Sequence, residues 1–95
     1  KKESDIMQNE LEEKILEELK KHEKKQNTIK QTGFISNQFY IHSLTYQLKI
    51  DTLTIKDEKE KIYVCINLNQ VYKVDIHENN IQIYLDNDTQ IFIKI

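Results

Sequence analysis

Alanine, arginine, proline and tryptophan are absent from this chain of 95 residues, and glycine and cysteine occur once each, as Gly33 and Cys65. A single cysteine excludes an intrachain disulfide and any multi-cysteine metal site. A single glycine excludes a phosphate-cradling loop, which needs several glycines for close backbone approach, and nucleotide-dependent chemistry goes with it. Without arginine the chain lacks the usual bidentate reader of phosphate and guanine, and lysine serves there only as a point charge. The net charge of −2 and a pI of about 5.9 supply no basic footprint for nucleic acid. No apolar run approaches the ~20 residues of a membrane span, and no signal peptide is visible, so a cytoplasmic setting is expected. The missing types, tryptophan apart, are largely those of GC-rich codons, while Lys, Asn, Ile and Tyr abound. This bias points to an AT-rich genome, such as a low-GC bacterium, a phage or plasmid, or an AT-rich protist. The chain begins with Lys1 rather than methionine, so a processed or trimmed chain is expected.

What is present divides into two periods. Residues 4–26 read as a helix, with Ser4 or Asp5 as N-cap and Gln8 completing a capping box. Met7, Leu11, Ile15 and Leu19 recur every four residues, flanked by Leu16 and His22, and form one apolar stripe. Glu10–Lys14 and Glu17–Lys21 are i,i+4 pairs in the better orientation. Crowded lysines end the pattern near Gln26 or Asn27. Glu18 interrupts what would be a coiled-coil seam, so the stripe is expected to dock on its own sheet, with helix-mediated self-association as the alternative. Residues 27–33 form the expected hinge.

From residue 34 to 95 the period is two. "FISNQFYIH" reads as a strand. In "SLTYQLKI" the apolar set is Leu44, Tyr46, Leu48 and Ile50, after which Leu53 and Ile55 continue on the other parity. That flip predicts a β-bulge or sharp bend at Asp51–Thr52. "KIYVCINL" sets Ile62, Val64, Ile66 and Leu68 against Tyr63, Cys65 and Asn67. "VYKVDI" groups Tyr72, Val74 and Ile76. The last hairpin places Ile81, Ile83, Leu85, Ile91, Ile93 and Ile95 on one face. Short strands joined by polar turns predict an antiparallel meander of about six strands. The fold class is therefore α+β, one domain over 1–95: an amphipathic helix, then a curved sheet or small barrel. In layout this resembles the Sm-like small barrels, and in sheet count pleckstrin-like and single-strand-binding barrels. The chain lacks the strand-loop glycines of the first, a closing C-terminal helix of the second and a mid-sheet helix of the third.

Candidate chemistry is sparse. His22, His42 and His77 are scattered, and "DIHE" at 75–78 makes at most an incomplete metal site. "DNDTQ" at 86–90 begins like a calcium loop but has no glycine at its sixth position and no glutamate at its twelfth, so it reads as a hairpin turn. Cys65, mid-strand, reads as an inert small hydrophobe. No catalytic, cofactor or metal site is expected. The aromatics opposite the aliphatic faces are the candidate partner-binding group: Tyr63, Tyr84 and Phe92, with Gln82 and Gln90 beside them. Such a face anchors a protein partner or stacks single-stranded bases. A free edge on the final strand offers a second contact. The expected function is a small non-catalytic protein-interaction or assembly module, binding a protein partner or a second copy of itself. Single-stranded nucleic-acid binding on the aromatic face is the disfavoured alternative.

Overall fold

A computed structural model describes residues 2–95, with side chains from Asn9 onward. The capping roles expected of Ser4 and Asp5, and the place of Met7 on the stripe, lie outside the described side chains. Among the described residues one helix, α1 (Lys2–His22), precedes eight strands: β1 (Asn27–Thr32), β2 (Asn37–Ile41), β3 (Leu44–Lys49), β4 (Thr52–Asp57), β5 (Tyr63–Asn67), β6 (Val71–His77), β7 (Asn80–Leu85) and β8 (Gln90–Lys94). A short 3₁₀ turn, Leu68–Gln70, joins β5 to β6. The α+β class with antiparallel strands holds. The strands form two sheets, ordered β2-β1-β8-β7-β6 and β3-β4-β5; they do not close into a barrel, and their number is eight rather than six.

The apolar alternation places the core between the sheets. Ile81, Ile83 and Leu85 of β7, Ile91 and Ile93 of β8, Leu53 and Ile55 of β4, and Val64 and Ile66 of β5 all point inward and are buried. Ile95 does not join them; it is exposed at the end of the chain. The helix docks by its stripe, with Ile15 and Leu19 wholly enclosed against β6 and the 3₁₀ turn. Each contributes about 2–3 kcal/mol of burial. Leu11 and Leu16 pack against the same core and stay partly buried.

The helix stops at His22, short of residue 26. Lys24 turns into the left-handed region at φ 64°, and its N–H donates to Leu44 O at 2.7 Å. The expected hinge is instead β1, paired on both sides, with Ile29 opposite Phe39 of β2 and Ile93 of β8. Its first inward residue is Asn27, whose amide nitrogen donates to the carbonyls of His22 (3.1 Å) and Lys25 (3.0 Å). That side chain satisfies the end of the helix and fixes the start of the sheet together.

The parity flip near residue 51 is a sharp bend, the turn of a two-residue hairpin, and not a bulge. Lys49 pairs with Thr52, leaving Ile50 and Asp51 at the tip. The bulge lies elsewhere, between Val71 and Lys73. It buries Val71 and sends Tyr72 outward, away from Val74. In the last hairpin Asp88 adopts φ 64° and Asn87 Oδ1 accepts from Thr89 N–H, so the acidic segment is a turn.

The corner from β2 to β3 is held by one carboxylate. Asp57 accepts from the backbone N–H groups of His42 (2.9 Å), Ser43 (3.2 Å) and Lys59 (3.0 Å). Burial alone would raise its pKa, but the N–H donors of His42, Lys59 and Ser43 together hold it below the usual carboxylate range. Glu58 beside it is lowered by hydrogen bonds from Lys24 Nζ and the Ser43 hydroxyl.

Candidate binding surface

Four of the five candidate residues meet on the outer face of the five-stranded sheet. Gln82 lies opposite Phe92, and Tyr84 opposite Gln90. Across β6, Gln82 faces Asp75 and Tyr84 faces Lys73. Lys30 stands opposite Phe92 from β1. Tyr63 is not part of this group. It projects, 63% exposed, from the outer face of the three-stranded sheet, where it pairs with Lys56. Cys65 on the same face is exposed rather than packed away, with its sulfur 3.8 Å from Thr54 Oγ1.

The Tyr84 group is largely occupied by its own neighbours. Lys73 Nζ sits 5.0 Å above the Tyr84 ring, and the Tyr72 ring packs at 6.2 Å, tilted by 50°. Burial, reinforced by a hydrogen bond and charge from Asp75, pushes the Tyr84 hydroxyl above the ordinary phenol range. Gln82 Nε2 donates to Gln90 Oε1 at 2.8 Å. A ring already covered by a lysine offers one face fewer to a base or a partner.

The histidines do not converge. His42 follows β2 and His77 ends β6, the two outer strands of one sheet, and four strand spacings amount to roughly 19 Å. His22 is fully buried on α1. Its Nδ1 donates to Asn27 Oδ1 at 2.6 Å, since the Asn27 amide nitrogen is spent on carbonyls. Its Nε2 faces Glu18 Oε2 at 3.7 Å, beyond hydrogen-bond reach. Glu18 is buried beside it and also pairs with Lys21 Nζ at 3.3 Å. Among the described residues no group of three His, Cys, Asp or Glu side chains could hold a metal ion, and no helix is long and apolar enough to cross a membrane.

The sheet edges are more informative. The final strand β8 has no free edge, because it lies between β1 and β7. The outer edge of β6 is covered by α1, whose Lys14 Nζ donates to Val74 O at 3.1 Å. The edge of β3 is tied at its start, where Leu44 exchanges backbone hydrogen bonds with Lys24 and Lys25. β5 begins beside Glu60 and Lys61 and runs directly into the 3₁₀ turn.

The edge of β2 has none of these protections. It pairs only with β1, and neither a charge, a proline nor a bulge interrupts it. Tyr40 is 65% exposed, and at the β1–β2 tip Phe34 and Ile35 project into solvent. Beyond the other end of β2 lies a groove of about 420 Å³ lined by Tyr40, Ile41, His42 and Ile95. Aromatic alternation singles out none of Phe34, Ile35 and Tyr40. A different signal marks them: from Gln31 to Leu48 there is no Asp, Glu or Lys in eighteen consecutive residues. In a chain that is 32% charged, such a stretch would carry about six. Compared with protein-family models, curated proteins and solved structures, this chain matches none.

Proposed function

We propose that this chain is a non-catalytic protein-interaction and assembly module whose contact surface is the β2 edge with the Phe34–Ile35 tip. The observation that carries this reading is an open sheet edge inside an uncharged segment that also exposes Phe34, Ile35 and Tyr40. An unpaired edge presents alternate N–H and C=O groups to an incoming strand. Main-chain hydrogen bonds then supply affinity and flanking side chains supply selectivity. The test is affinity capture from extract of the source cell, alongside light scattering, with wild type, Tyr40→Lys, Phe34→Ser and Tyr63→Ala. Association lost in the first two variants and kept in Tyr63→Ala supports the reading. A strict monomer that captures nothing sensitive to the edge variants overturns it.

A second reading, single-stranded nucleic acid on the outer face of the five-stranded sheet, is favoured by one feature. That face carries Lys30, Lys73 and Lys94 against Asp75 alone, around Phe92. Salt-sensitive binding of a labelled oligonucleotide, lost in Phe92→Ala, supports it; no binding at low salt removes it.

A further inference from the structure

We infer that the occupant of the β2 edge is the β2 edge of a second copy of this chain, joined antiparallel about Phe39 into one continuous ten-stranded sheet, five strands from each copy. This rests on the reading of that edge as the contact surface. A two-fold axis relating two antiparallel edge strands stands perpendicular to the sheet, so inward residues meet inward residues and outward meet outward. The register that uses all of β2 in both copies sets Asn37 opposite Ile41, Gln38 opposite Tyr40, and Phe39 opposite Phe39.

The charge-free edge favours a second copy over a charged foreign segment. Self-pairing sets the edge against its own net charge, and like charges facing one another are destabilising. β2 has no charge to duplicate, and its flanks have none from Gln31 to Leu48. A charged foreign strand would find no counter-charge there. The pairs themselves are compatible. Gln38 Nε2 already donates to Tyr40 Oη of its own strand at 3.2 Å, and across the two-fold axis the same two groups face one another again. The Phe39 pair adds an aromatic contact at the centre.

The exposed tip gains a place in the same register. The Phe34–Ile35 tip precedes β2, and His42 follows it, so the antiparallel pairing brings the tip of each copy to the His42 end of the other. The apolar tip of each copy therefore runs toward the groove of the other, lined by Tyr40, Ile41, His42 and Ile95. Because the interface is isologous, whatever one tip meets the other meets too.

The test is light scattering and sedimentation over a wide concentration range, with circular dichroism to confirm folding. Gln38→Lys/Tyr40→Lys sets lysine opposite lysine at both symmetric pairs, while Gln38→Glu/Tyr40→Lys sets glutamate opposite lysine. The expected result is a wild-type dimer, dissociation at least roughly tenfold easier in the lysine–lysine variant, and recovery in the glutamate–lysine variant. A wild-type chain monomeric at every concentration, or a lysine–lysine variant that dimerises as well as wild type, overturns the inference. If the monomer still captures a partner that the lysine–lysine variant loses, the edge remains the contact surface and only its occupant changes. If it neither dimerises nor captures, both readings fall.

Discussion

Replacing Ile50 by glycine or asparagine makes the protein more stable. Ile50 sits at the tip of the β3–β4 hairpin with φ 56°, a conformation in which a β-branched residue is an outlier. Its neighbour Asp51 is pinned in place. The Asp51 carbonyl accepts from Leu68 N–H at 2.8 Å, and its carboxylate accepts from Asn69 Nδ2 at 3.0 Å. The loop therefore cannot relax by moving, and the strain, of order 1–3 kcal/mol, stays on Ile50. The side chain offers little in return, since it is 86% exposed.

Glycine removes the strain but adds unfolded-state freedom worth about 0.5–1 kcal/mol. The net gain is about 1 kcal/mol, and in a domain of this size that raises Tm by about 4–8 °C. Asparagine tolerates the left-handed region without glycine's entropy cost, so it gains at least as much. Ile50→Val keeps the branched Cβ and gains nothing. Urea denaturation followed by circular dichroism checks this, with the midpoint rising and the slope unchanged. If the Ile50→Gly and Ile50→Asn variants unfold at or below the wild-type midpoint, the assignment of strain to this residue is wrong.

Three further outcomes follow from the same geometry. Gly33→Ala loses about 1–3 kcal/mol: the residue has φ 151°, and an added Cβ would meet Asp88 O and Thr89 Cα at 3.2 Å; urea midpoints measure the loss. Asn27→Ala removes the hydrogen bonds to His22 Nδ1, His22 O and Lys25 O and costs about 2–4 kcal/mol, whereas Asn27→Asp cannot donate to the two carbonyls and does not restore it. Asp57 is held below its ordinary pKa in the folded state, so it contributes stability that is present above ~4 and lost as pH falls through the folded value. Asp57→Asn therefore unfolds more easily at neutral pH and shows a flatter acid limb, read from urea midpoints between about pH 2 and 7.

The helix stripe and the inward faces of β4, β5, β7 and β8 were legible because isoleucine and leucine keep strict periods there. β1 was not, because "NTIKQT" contains one apolar residue, and its buried Asn27 is satisfied only by a helix end that the sequence cannot place beside it. The parity flip marked a bend near residue 51, but its centre at Ile50 was hidden by a residue that turns normally exclude. The bulge at Tyr72 was hidden because Val71 and Tyr72 are both apolar, so alternation could not say which is buried. The aromatic face was legible as an alternation. Its occupation by Lys73 depends on the β6–β7 register, which only the fold supplies.

The β2 edge was illegible for a topological reason. Reading the chain as a simple meander leaves the last strand outermost, whereas pairing β8 with β1 puts the last strand inside and moves the edge to β2. Once the edge is known, composition sharpens its meaning. The chain has fourteen lysines, and a composition this rich in lysine makes an edge lysine the simplest protection against strand pairing. Lysines do stand at Lys14 against the β6 edge and at Lys61 before β5, while the backbone of Lys24 and Lys25 ties the start of β3. Between Lys30 and Lys49 there are none. A bias toward AT-rich codons cannot produce that gap, since lysine is among the residues it enriches. The gap runs through β2, the edge that has no covering element, and through most of β3, whose edge is tied only at its start; a strand free of both charge and cover, as β2 is, is suited to pairing.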